Sequence, residues 1–328
     1  VAEVLKKAGY VTGGFGKWGL GNQGKDGAAE RQGFDLFYGY YNQWHAHTYY
    51  THLFRNSKKV DLDGRYTHHA IFDETIKFIK NNKDKPFFLY CPWTPPHAAY
   101  QIPEDEPAWK IYKDKPWPHD ARVAAAMDTM MDRHVGEITA LLKKLGIYQN
   151  TLMFFTSDNG AAKRFDGIHN SSGIMQGKKR SLNEGGIRVP MVVRWPGKIK
   201  AGRVSSHPWY FPDVMPTFAE IGGVSSEVPE DIDGISILPT LLDKGVQKQH
   251  EYMFWHYGVR AVRSGKWKGI GKGGHLYLYD LSEDIEEKND LSSKHPEIAA
   301  RMKKYITIGY REPRSQKDDG KYTGKDKK

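Results

Sequence analysis

The residues best suited to chemistry sit where apolar runs stop. In "LMFFTSDNG" (152–160) an apolar run breaks into Ser157-Asp158-Asn159-Gly160. A carboxylate beside a carboxamide offers two hard oxygen donors of the kind calcium or magnesium takes. Gly160 lets the backbone turn there without crowding an ion. Lys17 ends another apolar stretch in Gly16-Lys17-Trp18-Gly19, and His97 follows a third in Pro95-Pro96-His97. Ligands of an open α/β sheet bind beyond the carboxyl ends of its strands, so these endings are expected on one sheet and near one another. A fourth segment, "GKKRSLNEGGIRVPMVVRWPG" (177–197), places Lys178, Lys179 and Arg180 ahead of Glu184-Gly185-Gly186. An ammonium held by such a turn could bind an oxyanion. Each piece alone has a plainer reading. Asp and Asn after a strand serve as turn or cap residues, a lysine decorates the surface, and a loop histidine finds one hydrogen bond.

The elements that must position these groups alternate. Val1, Val4, Leu5 and Ala8 are spaced for a helix that Gly9 ends. "YVTGGFGKWGLG" reads as a strand entering a glycine-rich loop, and 34–56, aromatic and His-rich without a clear period, as a structured loop. Residues 68–81 and 123–145 carry helical periodicity, the second stopping at Gly146. "KPFFLYC" (85–91), "TLMFFT" (151–156) and "VPMVVRWPG" (189–197) read as buried strands, and 213–221 as a short helix. Strands alternating with helices predict an α/β fold with a mainly parallel central sheet flanked by helices. Beyond about residue 245 the alternation becomes that of antiparallel strands, with a closing helix at 298–306, so a smaller α+β C-terminal part is expected. The expected division is 1–245, 246–312, and a disordered basic tail at 313–328.

The bulk numbers narrow the function. The 328 residues carry 49 Lys+Arg against 39 Asp+Glu, a net +10, part of it in the tail. Such a charge suits an anionic substrate or polysaccharide. No basic helix or RNA-binding signature accompanies it, so nucleic acid is not expected as a partner. The single Cys91 excludes an internal disulfide, and no apolar run is long enough to span a membrane. The chain opens on Val1 inside a helical pattern, so segments upstream are expected.

In order along the chain, "AEVLKKAGY…GKWGLG", "QGFDLFYGY", "KPFFLYCPWTPPHAAY", "FTSDNG", "KKRSLNEGGIRVPMVVRWPGKI" and "LYDLSEDIEEKNDLS" resemble the sulfatase family, the formylglycine-dependent arylsulfatases of the alkaline-phosphatase-like superfamily. The resemblance implies a sulfuric ester hydrolase acting on sulfated carbohydrate, exported from the cell. Asp158 and Asn159 would form the downstream half of a calcium site, with magnesium as the alternative ion. Lys17 would contact the sulfate and the nucleophile, and His97 the sulfate or the leaving oxygen. The family's spacing, five residues ahead of the Glu of EGG, selects Lys179 over Lys178.

The same resemblance implies a formylglycine nucleophile, made by a maturase from Cys in Cys-x-Pro/Ala-x-Arg. Cys91, followed by Pro92-Trp93-Thr94-Pro95, does not fit that motif. The resemblance implies that the nucleophile, Cys- or Ser-derived, and a pair of metal-binding aspartates lie upstream of this chain, so residues 1–328 alone are expected to be inactive. Gly19 stands where many relatives carry His. His45 and His47, in the aromatic loop, are expected to meet the substrate; an extended backbone there would put both on one side, and His47 is the candidate for the missing base. The rival readings are a phosphoester or phosphonate hydrolase of the same superfamily and a non-catalytic binder of sulfated glycan.

Overall fold

The computed structural model describes residues 1–312; the expected disordered tail, 313–328, lies outside them. Along the chain run α1 (Ala2–Lys7), β1 (Val11–Lys17), β2 (Leu36–Tyr40), β3 (Leu53–Arg55), β4 (Lys58–Val60), α2 (Thr67–Asn81), β5 (Phe87–Tyr90), α3 (Pro107–Tyr112), α4 (His119–Lys144) and β6 (Met153–Thr156). Then come α5 (Glu184–Ile187), β7 (Met191–Arg194), α6 (Val214–Ile221), α7 (Leu238–Leu242), β8 (Met253–Tyr257), β9 (Val259–Ser264), β10 (Trp267–Lys272), β11 (His275–Asp280) and α8 (Pro296–Ile308). Among the described residues there are two compact units, one of residues 1–155, 167–169 and 192–248, the other of 156–166, 170–191 and 249–312.

The first unit holds a five-stranded sheet in the order β4-β3-β2-β1-β5. β1 runs parallel to β2 and β5, while β3 and β4 extend the sheet as antiparallel strands. β2 falls where the aromatic run 34–56 predicts a loop. Four of its five residues are buried, so no alternation marks it, as is usual for a strand covered on both faces. Phe15, Tyr38, Tyr40, Leu53, Ile71 and Phe78 pack into one core. α4 begins four residues before the predicted 123 and buries Met127, Met130, Ile138 and Leu142, each contributing roughly 1.5–3 kcal/mol.

β6 departs from expectation. It pairs with β7 in a separate two-stranded sheet, so the three polar endings do not share one hydrogen-bonded sheet. Yet Leu89 of β5 and Met153 of β6 pack on the same cluster with Ile138 and Leu142. Phe218 of α6 meets Phe88 of β5 and Phe154 of β6 at ring separations of 6.0 and 5.2 Å. The two strands thus lie under common helices without pairing. Nor are they fully buried: Tyr90, Phe155 and Val192 are 44%, 45% and 61% exposed. β5 is an edge strand, and the β6–β7 ribbon has no further neighbour among the described residues.

The second unit contains the four-stranded antiparallel sheet β11-β10-β9-β8. α8 covers one face through Ala299, Met302 and Tyr305, packed with Val262, Leu276 and Leu278. Leu182, from the basic loop ahead of α5, packs with Ala261, Ile270, Tyr279 and Leu281.

Candidate active site

In the first unit Lys17 closes β1. Its N–H donates to the Pro92 carbonyl beyond β5 (2.8 Å), and the N–H of Trp18 donates to Tyr40 O on β2 (2.8 Å). The lysine backbone is thereby fixed between two strand ends. Gly19 has φ +72, a left-handed conformation that disfavours side chains, and an added Cβ would stand 2.1 Å from the Gln43 amide nitrogen. Gln43 fills the space that a histidine at position 19 would need.

His97 lies in the loop after β5. Its N–H donates to Thr94 O (3.0 Å), and Nδ1 lies 2.7 Å from Ala98 O. A carbonyl only accepts, so Nδ1 carries a proton toward Ala98 O. The Tyr49 hydroxyl donates to His97 O (2.9 Å). The His47 ring stacks on that of His97, 4.0 Å apart and within 10° of parallel. The N–H of Ala99 donates to His47 O (3.0 Å).

His45 and His47 part company. Residues 45–47 form a 3₁₀ turn, not an extended strand. Trp44 and His47 are ring neighbours at 5.7 Å. His45 instead meets Thr51 Oγ1 through Nε2 (3.0 Å) and the His52 ring at 4.2 Å. Burial, with His52 and Lys59 adding, pulls the His45 imidazole down to about 4. Of the two, His47 is the one on the His97 side.

A second histidine pair went unnoticed in the sequence. His68 and His134 are almost fully buried, with His68 Nε2 3.1 Å from His134 Nδ1, and the His134 ring lies on Phe72 at 3.8 Å. Burial pulls His134 down to about 4 and His68 well below its usual value. Cys91 packs against the core, and burial pushes its thiol up to about 12, so it is a poor nucleophile at neutral pH.

In the second unit two loops are stitched together. The N–H of Gly160 donates to Gly186 O (2.9 Å), and that of Lys179 to Ala161 O (2.7 Å). A Cβ on Gly160 would lie 2.1 Å from Gly185 O, so glycine at 160 is required by this approach. Asp158 and Asn159 are thereby set beside the basic loop. Asp158 is exposed and Asn159 half-buried. Lys179 is half-buried with its backbone tied to the Asp158 loop, whereas Lys178 is exposed and turns on Ser181. The carboxylate and carboxamide fit part of an oxygen-donor set, short of the six to eight oxygens calcium takes. Among the described residues no group of three or more His, Cys, Asp or Glu completes it.

Behind this loop lies a buried ion triplet that spacing alone does not reveal. Lys268 of β10, with no exposed side chain, donates to Glu184 Oε1 (2.8 Å). Its Nζ is also 2.9 Å from Glu287 Oε1, at an angle that makes this contact an ion pair rather than a hydrogen bond. Glu287 Oε2 accepts from the N–H of Glu184 (2.7 Å). Burial pushes the Glu184 carboxyl up, but the Lys268 ammonium and its hydrogen bond outweigh burial and hold it below the usual carboxylate range.

Residues 1–224 match the family model described as Sulfatase, and 176–309 match N-sulphoglucosamine sulphohydrolase, C-terminal. The chain belongs to the sulfatase family. Among curated sulfatases it is 31% identical to N-acetylgalactosamine-6-sulfatase of Mus musculus over 317 residues, 88% of this chain and 56% of the relative. It is 30% identical to an arylsulfatase of Hemicentrotus pulcherrimus over 293 residues, 82% and 51% of the two chains. A solved structure, Ps i-CgsB in complex with k-i-k-neocarrahexaose, superposes with a TM-score of 0.81 at 28% identity, covering 94% of this chain and 73% of the other. The chain spans about half the length of these two curated sulfatases. The fold is thus alkaline-phosphatase-like, with a separate antiparallel sheet toward the C-terminus.

Proposed function

We propose that the full-length protein hydrolyses sulfate monoesters on sulfated carbohydrate. Family membership supports the reaction class. The observation that carries the site is the double stitch, Gly160 to Gly186 and Lys179 to Ala161, which sets two oxygen donors beside a lysine. The names of the relatives, N-acetylgalactosamine-6-sulfatase among them, support a sugar sulfate.

Asp158 and Asn159 would hold a calcium or magnesium ion together with donors from elsewhere in the full-length protein; a bound cation supplies charge for a sulfate oxygen. A formylglycine, made by a maturase from a residue that is not Cys91, supplies the nucleophile. The residues of this chain bind and orient the anion. Lys17 and Lys179 offset charge on the sulfate oxygens in the transition state. His97 acts as the acid in its doubly protonated form: Nδ1–H stays on Ala98 O while Nε2–H passes its proton to the leaving oxygen, leaving the neutral Nδ1–H imidazole. His47 holds the His97 ring by stacking, and Trp44 and His47 face the sugar. Among the described residues no helix is long and apolar enough to cross a membrane.

The test compares a sulfate and a phosphate ester of the same aryl alcohol on the full-length protein. Sulfate turnover well above phosphate turnover is expected. The reverse preference assigns a phosphoester hydrolase, and tight glycan binding without turnover of either ester assigns a binding protein. Calorimetry checks the metal: Asp158→Ala should remove most calcium affinity, and unchanged affinity overturns that role.

A further inference from the structure

The segment "LYDLSEDIEEKNDLS" (278–292) carries acidic residues with different work. Asp280 accepts from Ser282 and pairs with Lys266. Asp284 accepts from the N–H groups of Lys288 and Asn289, and Asp290 from those of Leu278 and Ser292. The partners of these three, with His275 on Asp290, lie within fifteen residues along the chain. Glu287 reaches farther. It sits at φ 55, in left-handed backbone unusual for Glu, with 2% of its surface exposed. From there it reaches the N–H of Glu184 and the ammonium of Lys268.

We infer that Glu287 and Lys268 are positioning residues that set the Lys179–Asp158 loops through Glu184; this rests on the sulfatase reading of those loops. The turn they hold has few side chains of its own to fix it. Gly185 and Gly186 have no side chains to pack, and a Cβ on Gly186 would lie 2.2 Å from Ser181 O. The turn is anchored by Leu182 in an apolar cluster and by Glu184 in the ion triplet. Apolar packing is non-directional, whereas charge-assisted hydrogen bonds fix geometry. Glu184 begins α5, and the next two residues are the glycines whose backbone touches Gly160 and Gln176. A shift at Glu184 is therefore a shift of the stitch itself. A buried ammonium between two carboxylates gains little over apolar packing, which points to a role in placement rather than in bulk stability.

The experiment uses the full-length protein and 4-nitrophenyl sulfate. Glu287→Gln keeps the volume and removes the charge, and kcat/KM should fall about tenfold. In a Lys179→Ala background the same change should cost less than about twofold, because the side chain being placed is gone. Should Glu287→Gln fail to fold, Glu184→Gln serves instead, since it leaves Lys268 and Glu287 as a neutral pair, and the same non-additivity is expected. Equal fold-losses in both backgrounds mark a general structural effect and overturn the inference, as does wild-type turnover by folded Glu287→Gln. A Lys179→Ala enzyme with wild-type turnover sinks the underlying sulfatase reading and this inference with it. An inactive Lys179→Ala beside an indifferent Glu287→Gln sinks this inference alone.

Discussion

The loop that carries His97 and the loop that carries Lys179 each hold one polar side chain in place, by opposite physics. His97 is fixed by neutral contacts: carbonyls on both sides, a tyrosine hydroxyl and a parallel imidazole ring. Lys179 is fixed at one remove, by backbone stitches whose anchor is a fully buried ammonium between two carboxylates. Neutral contacts are individually modest and lose little when one is removed. A buried ion cluster tolerates no missing partner, because the remaining charge stays in a dry interior. The two loops are therefore unequally fragile.

The largest expected effect is on turnover, and it bears on which lysine the charged region serves. Lys179→Ala in the full-length protein should raise the barrier by about 2.7–4 kcal/mol, while Lys178→Ala, on the exposed side of the turn, should change the rate by less than about threefold. Steady-state kinetics on one aryl sulfate checks the pair, and the opposite ranking transfers the role to Lys178. Next in size is stability. Lys268→Met leaves Glu287 without its cation and Glu184 with only the half-exposed Arg188 at 3.5 Å, and should cost about 3–5 kcal/mol. Tyr49→Phe removes one neutral hydrogen bond to the His97 loop and should cost about 0.5–1.5 kcal/mol. Chemical denaturation of both variants compares the regions directly; equal losses would erase the distinction.

Acid separates the two units by window. The buried His68–His134 pair, faced by His69, Arg133, Glu106 and Asp73, is held neutral when folded. The unfolded chain binds more protons, so stability falls as pH drops below the unfolded value of about 6.5 and continues to fall toward the folded value of about 4. The loss is on the order of 3 kcal/mol. Glu184 has a lowered folded value, so its contribution is present above the unfolded value of about 4.3 and is lost only as pH falls through the folded one. Melting curves between pH 7 and 4 should show the histidine effect first, and His134→Phe should flatten it. A curve that stays steep in His134→Phe places the acid sensitivity elsewhere. The smallest effect belongs to the stack. His47→Ala removes a ring contact worth about 0.5–1.5 kcal/mol, so the Michaelis constant should rise by a few fold without a pre-steady-state burst of leaving group. A burst would instead make His47 the base that Gly19 does not provide.

Much of this organisation was legible because it is local. Helix periodicity exposed α2, α4 and α8, and the order of motifs indicated the family. The family's spacing to Glu184 favours Lys179 over Lys178, a choice that the kinetic comparison above tests; the backbone gives the two different surroundings. What stayed hidden depends on partners distant in the chain. β2 was masked because both its faces are covered and its residues are uniformly apolar or aromatic. Glu287 and Lys268 lie 103 and 84 residues from Glu184, and nothing in their neighbourhoods announces a partner. His45 and His47 looked equivalent until the 3₁₀ turn sent them to different neighbours.

The stitch between Ala161 and Lys179, together with the Gly185 N–H donating to Gln176 O, also closes the base of a long excursion, residues 162–174. With both feet clamped, the length and composition of the excursion are decoupled from the placement of Asp158 and Lys179. Lengthening a loop whose ends are already held costs only about 0.6 kcal/mol per doubling. The arrangement is a fixed socket with an exchangeable rim. Relatives could trade this segment to accept different substrates while the stitched loops stay where they are, and a chimera carrying another sulfatase's counterpart of 162–174 should keep turnover of a small aryl sulfate while changing its choice among larger sugars.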